Sequence, residues 1–95
     1  MMIKDREVVL NEIDTVLESG NLRPYVFRTR LERVLVRITA LLEDNNKKAE
    51  VVSKCNDIRR KLNYISDKSN QTPDGTLNSY IFLKGEIESL KQMVK

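Results

Sequence analysis

Apolar residues recur every three or four positions in four stretches of the chain, which is the spacing of one face of an α-helix. Clusters of Gly, Pro, Asn and Ser separate these stretches and predict turns. The predicted helices cover residues 3–19, 24–43, 46–66 and 77–94. A flexible loop over residues 66–76 precedes the last helix and contains the turn signal Pro73-Asp74-Gly75. Because no stretch of useful length alternates apolar and polar residues, we expect an all-α fold.

Two short segments decide the bounds of the first three helices. Gly20 suits the left-handed conformation that ends a helix, and Pro24 suits the first position of the next one. Asp44-Asn45-Asn46 permits two interpretations. It is either a short break between two helices or part of one continuous helix in an extended coiled coil, since asparagines are poor helix formers but do not break a helix.

The apolar positions of the predicted helices alternate in steps of three and four, which is typical of helices that pack at shallow angles. Similar lengths and short connections favour a small antiparallel bundle of three long helices, with a fourth helix after the loop. The second helix contributes Phe27, Leu31, Val34, Ile38 and Leu41 to this seam. On the first helix the seam contains Ile3, Leu10, Ile13 and Leu17, with Val9 and Val16 beside them. The seam of the third helix consists of Val51, Cys55, Ile58, Leu62 and Ile65, and that of the fourth consists of Tyr80, Leu83, Ile87, Leu90 and Val94.

Basic residues form a stripe along one side of the second predicted helix: Arg23, Arg30, Arg33 and Arg37. Their planar guanidinium groups suit phosphate, so the stripe is a candidate anion or nucleic-acid contact. If the first two helices fold back on each other at residues 20–23, however, Asp14 faces Arg30. The same register places Glu7 against Arg37. Charge pairing within the chain is therefore the favoured interpretation of the stripe, with binding of nucleic acid or of an acidic protein partner as alternatives. The basic run 59–61 on the third helix has the pattern of an ordinary solvated face.

The segment Tyr80-Ile81-Phe82-Leu83 makes the start of the fourth predicted helix apolar around its whole circumference. Such a helix end is either buried on several sides or available to a partner. Gly85 would allow another helix to approach closely. The candidate partner-binding residues are Tyr80, Ile81, Phe82 and Met93 on this helix, and Tyr25 and Val36 on a weaker apolar face of the second helix. A homodimer would cover both faces most simply.

Composition narrows the class of protein. Leu, Ile, Val and Phe account for 29 of the 95 residues, so we expect a single packed domain over residues 1–95. The chain has no His and one Cys, which excludes an internal disulfide, argues against most enzymes and predicts neither a metal nor a cofactor. Cys55 lies at a seam position, where we expect a small buried side chain. The charged N-terminus and the lack of a long apolar run predict a cytoplasmic protein that does not enter a membrane.

These observations favour a small non-enzymatic interaction protein, acting as an adaptor, an inhibitor or a regulator. It would bind a protein partner, or a second copy of itself in a homo-oligomer, through helical surfaces. The alternative is a basic helical module that binds nucleic acid with the arginine stripe of the second helix.

Overall fold

The computed structural model describes residues 5–22, 24–42, 48–65 and 77–95; the side chains of residues 21, 22, 24 and 25 are not part of that description. The helices are α1 (Arg6–Leu22), α2 (Pro24–Leu41), α3 (Lys48–Tyr64) and α4 (Asn78–Val94). The predicted all-α bundle is confirmed. The Asp44-Asn45-Asn46 segment and the predicted loop over residues 66–76 lie outside the described residues. None of the described helices combines the length and the hydropathy of a membrane-spanning segment.

The first helix ends later than predicted; the residues before Asp5, Ile3 of the predicted seam among them, lie outside the described residues. Gly20 does not end α1, which continues to Leu22, so that a single residue, Arg23, separates α1 from α2. Gly20 is buried in helical backbone, and the Tyr80 ring lies against it. This glycine therefore serves a close approach between helices rather than a left-handed turn.

Each helix packs against two neighbours, so that the four helices occupy the corners of a square. α1 lies between α2 and α4, and α3 lies between the same two helices on the other side. The guanidinium of Arg28, near the start of α2, donates hydrogen bonds to the carbonyls of Leu62 and Ile65 at the end of α3. A continuous helix would separate Arg28 from Ile65 by about 55 Å at 1.5 Å per residue. The chain therefore reverses between α2 and α3, and the extended coiled coil is wrong.

The core agrees with the predicted seams on α3 and α4 and differs on α1 and α2. On α1 the fully buried side chains are Val9, Ile13 and Val16, while Leu10 and Leu17 are only partly buried. Since α1 must cover both α2 and α4, its buried face points to the middle of the bundle instead of to α2 alone. α2 is rotated in the same way: Leu35 is buried, whereas Leu41 of the predicted seam is only partly buried.

Candidate interaction surfaces

The solvent-facing side of α4 carries two large apolar side chains. Ile81 is 51% exposed and Phe82 is 71% exposed. They lie on a strip that covers about a quarter of the helix circumference and contains no charged residue. We call this strip the α4 outer surface; its exposed members are Ile81, Phe82, Gly85, Ser89 and Gln92.

Packing of the opposite face explains why these two residues remain outside. The buried side of α4 is filled by the predicted seam, Tyr80, Leu83, Ile87, Leu90 and Val94. Two consecutive helical residues point about 100° apart, so a helix that buries Tyr80 and Leu83 turns the intervening pair outward. The alternative in which α4 is buried on several sides is therefore not what the structure shows.

Tyr80, predicted as a partner contact, instead lies in the core with 4% of its surface exposed. Its ring meets Phe27 edge-on, with the ring centroids 5.2 Å apart at 89°. A Cβ on Gly20 would lie 1.9 Å from Cδ1 of the same ring. The Tyr80 side chain thus joins α4 to α1 and α2 and is not part of the exposed strip.

The other predicted partner-binding residues lie apart from the α4 outer surface. Met93 is half-buried and packs against the edge of the core. Val36 is 52% exposed on α2, but α2 and α4 occupy opposite corners of the square. The side chain of Tyr25 lies outside the described part of the chain. The structure therefore brings together Ile81 and Phe82 and separates them from the rest.

The arginine stripe borders a hollow of about 210 Å³ between α1 and α2, whose lining includes Thr15 of α1. Arg37 forms an ion pair with Glu12, and Arg30 donates a hydrogen bond to Ser19 Oγ at 2.8 Å. Arg33 is exposed and forms no ion pair or hydrogen bond with any residue described. Arg23 lies outside the described residues. We call these three described arginines and their hollow the arginine groove.

The predicted partners of the arginines are wrong in detail, although the pairing of α2 with α1 is observed. Both arginines contact residues five positions further along α1 than expected: Ser19 instead of Asp14, and Glu12 instead of Glu7. α1 continues to Leu22, later than predicted, and the rotation of α1 carries Asp14 toward α4. There, Lys91 Nζ lies 2.5 Å from Asp14 Oδ1.

Charges on α1 largely cancel those of α2. α1 contains one Arg and four acidic residues, whereas α2 contains four Arg and one Glu. Because the two helices lie side by side, the arginine groove faces an acidic neighbour over much of its length. Of the three described arginines, however, only Arg37 forms an ion pair with α1, whereas Arg30 bonds the neutral hydroxyl of Ser19.

Sequence reasoning overlooked the exposed side of α3. Five residues there surround an open hollow of about 660 Å³: Asn56, Arg59, Arg60, Asn63 and Tyr64. We call this set the α3 outer surface. The spacing of three, four, seven and eight residues from Asn56 is the signal that could have revealed it. The basic run 59–61 does not by itself indicate this surface, because the asparagines and the tyrosine that complete it carry no charge.

Cys55 is buried next to this surface. It has no solvent exposure, and burial raises the pKa of its thiol from 9.0 to about 11, although the nearby Arg59 charge lowers the pKa in part. A thiol held in this protonated state is a poor nucleophile. The expectation of a buried Cys55 is confirmed.

Side chains that commonly hold a metal are not grouped in the described ranges, where no three His, Cys, Asp or Glu residues converge. The chain matches no protein-family model, no curated protein and no solved structure. The described residues present three exposed surfaces to a partner: an apolar strip on α4, a partly paired arginine groove between α1 and α2, and a basic face on α3.

Proposed function

We propose that this chain is a small non-enzymatic interaction protein that binds a protein partner through the α4 outer surface. The observation that carries the proposal is the exposure of Ile81 and Phe82 side by side, at 51% and 71%. The other large apolar side chains exposed in the described part of the chain are Val8, Val36 and Tyr64, which are single residues on other helices.

Burial of this strip would favour association. Covering a Phe or Ile side chain contributes about 1.5–3 kcal/mol. The strip has no charged group whose desolvation would oppose binding. At Gly85, no atom lies within 4 Å of the place where a Cβ would be, so the backbone of a partner helix has room to approach. A second copy of the chain is the simplest such partner, and adaptor, inhibitor and regulator roles all use a surface of this kind.

The arginine groove supports the alternative, a nucleic-acid-binding function on α2, less well. Glu12 neutralises Arg37 and the Ser19 hydroxyl engages Arg30. Phosphate would have to compete with both contacts. Among the arginines of the groove, only Arg33 has no polar partner within the described residues.

The test compares Phe82→Asp with Val8→Asp, which places the same charge at an apolar residue of α1 that is 47% exposed. Self-association is measured by sedimentation velocity, and affinity capture from the native host is run with the same variants. We expect Phe82→Asp to lose association while circular dichroism shows an intact helical fold. Val8→Asp, and Arg33→Ala combined with Arg37→Ala, should associate as the unmodified chain does. Association that survives Phe82→Asp would contradict the proposal.

A further inference from the structure

The excess positive charge of the described helices lies on α3. The opposite charges of α1 and α2 cancel, and α4 contains two Lys and two Glu. α3 contains five Lys and Arg against two acidic residues. Its own excess of three equals the net charge of the whole chain, +3. An anionic partner would therefore be attracted to α3 more than to the arginine groove.

The α3 outer surface gathers three kinds of side chain on one helical face. Arg59 and Arg60 are cationic, Asn56 and Asn63 each offer an amide, and Tyr64 offers an aromatic ring. The face is about 12 Å long, because eight residues separate its first and last members at 1.5 Å each. Tyr64 is 88% exposed, so both faces of its ring are available to a ligand.

Charge on this face is only partly neutralised within the chain. Asp57 accepts hydrogen bonds from Lys61 at 3.1 Å and from Arg60 at 3.0 Å, and these two contacts hold the pKa of Asp57 below its usual range. Glu86 of α4 lies 3.5 Å from Lys61 and 2.9 Å from Lys54, so two carboxylates serve three cations. Arg59 is exposed and has no ion pair with the described residues.

The negative charge at the C-terminal end of α3 is also offset by a cation from α2. The last carbonyls of a helix carry a partial negative charge that would repel phosphate. Here the guanidinium of Arg28 donates to Leu62 O at 2.7 Å and to Ile65 O at 2.9 Å. That cation offsets the negative helix end beside Asn63 and Tyr64.

We propose that the α3 outer surface binds single-stranded nucleic acid. Tyr64 stacks on an unpaired base, Arg59 contacts the backbone phosphate, and the amides of Asn56 and Asn63 hydrogen-bond to base edges. A duplex fits less well because its bases are already stacked on each other. An acidic peptide would use the arginines but would leave the Tyr64 ring without a planar partner.

The test uses fluorescence anisotropy with a labelled oligothymidylate and with an oligouridylate of the same length. We expect dissociation constants in the non-specific range, about 10⁻⁴–10⁻⁶ M at physiological salt. Tyr64→Ala should weaken binding by about fivefold or more, whereas Tyr64→Phe should bind like the unmodified chain because it keeps the stacking ring. Circular dichroism of every variant checks that the helices are intact.

A charge-matched pair of variants locates the site. Arg59→Ala with Arg60→Ala should weaken binding and flatten its salt dependence, by about 0.7 in the logarithmic slope for each phosphate that the variant no longer neutralises. Arg33→Ala with Arg37→Ala removes the same charge from α2 and should leave binding within about twofold, since those arginines lie outside the α3 surface.

Three results would overturn the proposal. The first is Tyr64→Ala binding that equals that of the unmodified chain. The second is equal weakening by the two double arginine variants, which would mean that net charge alone attracts the probe. The third is binding of polyglutamate or of duplex DNA as tight as that of the single strand. None of these results depends on the α4 outer surface, so they do not test the proposed protein interaction, which the Phe82→Asp experiment tests separately.

Discussion

At the scale of single residues, the two helical glycines have opposite surroundings. A Cβ at Gly20 would lie 1.9–2.4 Å from three carbon atoms of the Tyr80 ring. Gly20→Ala must therefore displace a ring that also contacts Phe27 edge-on. We expect a loss of about 1–3 kcal/mol or more in the free energy of unfolding, measured by urea denaturation.

Gly85→Ala is the matched control for that change. The Cβ would meet no atom within 4 Å, and alanine favours a helix over glycine by about 0.5–1 kcal/mol. This variant should therefore be as stable as the unmodified chain or more so. If both alanine variants lost stability equally, the close contact between Gly20 and Tyr80 would be contradicted.

Cys55 should make stability depend on pH in the alkaline range. The unfolded thiol loses its proton near pH 9.0, whereas the buried thiol keeps its proton up to about pH 11. Between these values the unfolded state binds fewer protons, so the free energy of unfolding falls as the pH rises; below pH 9 the thiol contributes no pH dependence. We therefore expect the free energy of unfolding of the unmodified chain to fall more steeply with pH across this range than that of Cys55→Ala. Unfolding curves measured at several pH values for both proteins provide the comparison. Rapid labelling of the folded chain by a thiol reagent at about pH 8 would contradict the burial.

At the scale of helices, Arg28 joins α2 to the end of α3. Its guanidinium satisfies two carbonyls that no longer have a partner within the helix. Arg28→Ala should lower the free energy of unfolding by about 1–3 kcal/mol, because it removes charge-assisted bonds to partly buried carbonyls. Thermal and urea unfolding provide the measurement.

Two further variants show whether geometry or charge is responsible. Arg28→Lys keeps the charge but lacks the planar fork, so it should recover only part of the loss. Arg33→Ala removes an exposed arginine from the same helix and should change stability by no more than about 0.5 kcal/mol. Equal losses for Arg28→Ala and Arg33→Ala would contradict the capping role.

At the scale of the whole molecule, α4 closes the bundle against α1. Asp14 and Lys91 are 77 positions apart in sequence, and their charged groups lie 2.5 Å apart. Because Asp14 is about half-exposed, a double-mutant cycle should give a coupling energy of about 0.2–1 kcal/mol between Asp14 and Lys91. The corresponding cycle with Arg30, which contacts Ser19 instead, should give a value near zero. The reverse pattern would show that α1 packs in the register predicted from the sequence.

The sequence by itself determined the helices and much of the core. Steps of three and four between apolar residues place side chains on one helical face whatever that face contacts. The buried faces of α3 and α4, including Cys55, Ile58, Leu83 and Ile87, were therefore predictable. Ile81 and Phe82 were likewise recognisable as apolar residues that lie off the seam.

Only the tertiary structure decided how each face is turned and which side chains meet. The helical period does not state how many neighbours a helix has, and in this square arrangement each helix has two. Covering two neighbours rotates α1, which buries Val9 and Val16, leaves Leu10 half-exposed and moves Asp14 from Arg30 to Lys91. The role of Gly20 likewise depends on a ring from α4, sixty residues away in sequence. Contacts of this kind arise from the packing of distant segments, which local sequence spacing does not encode.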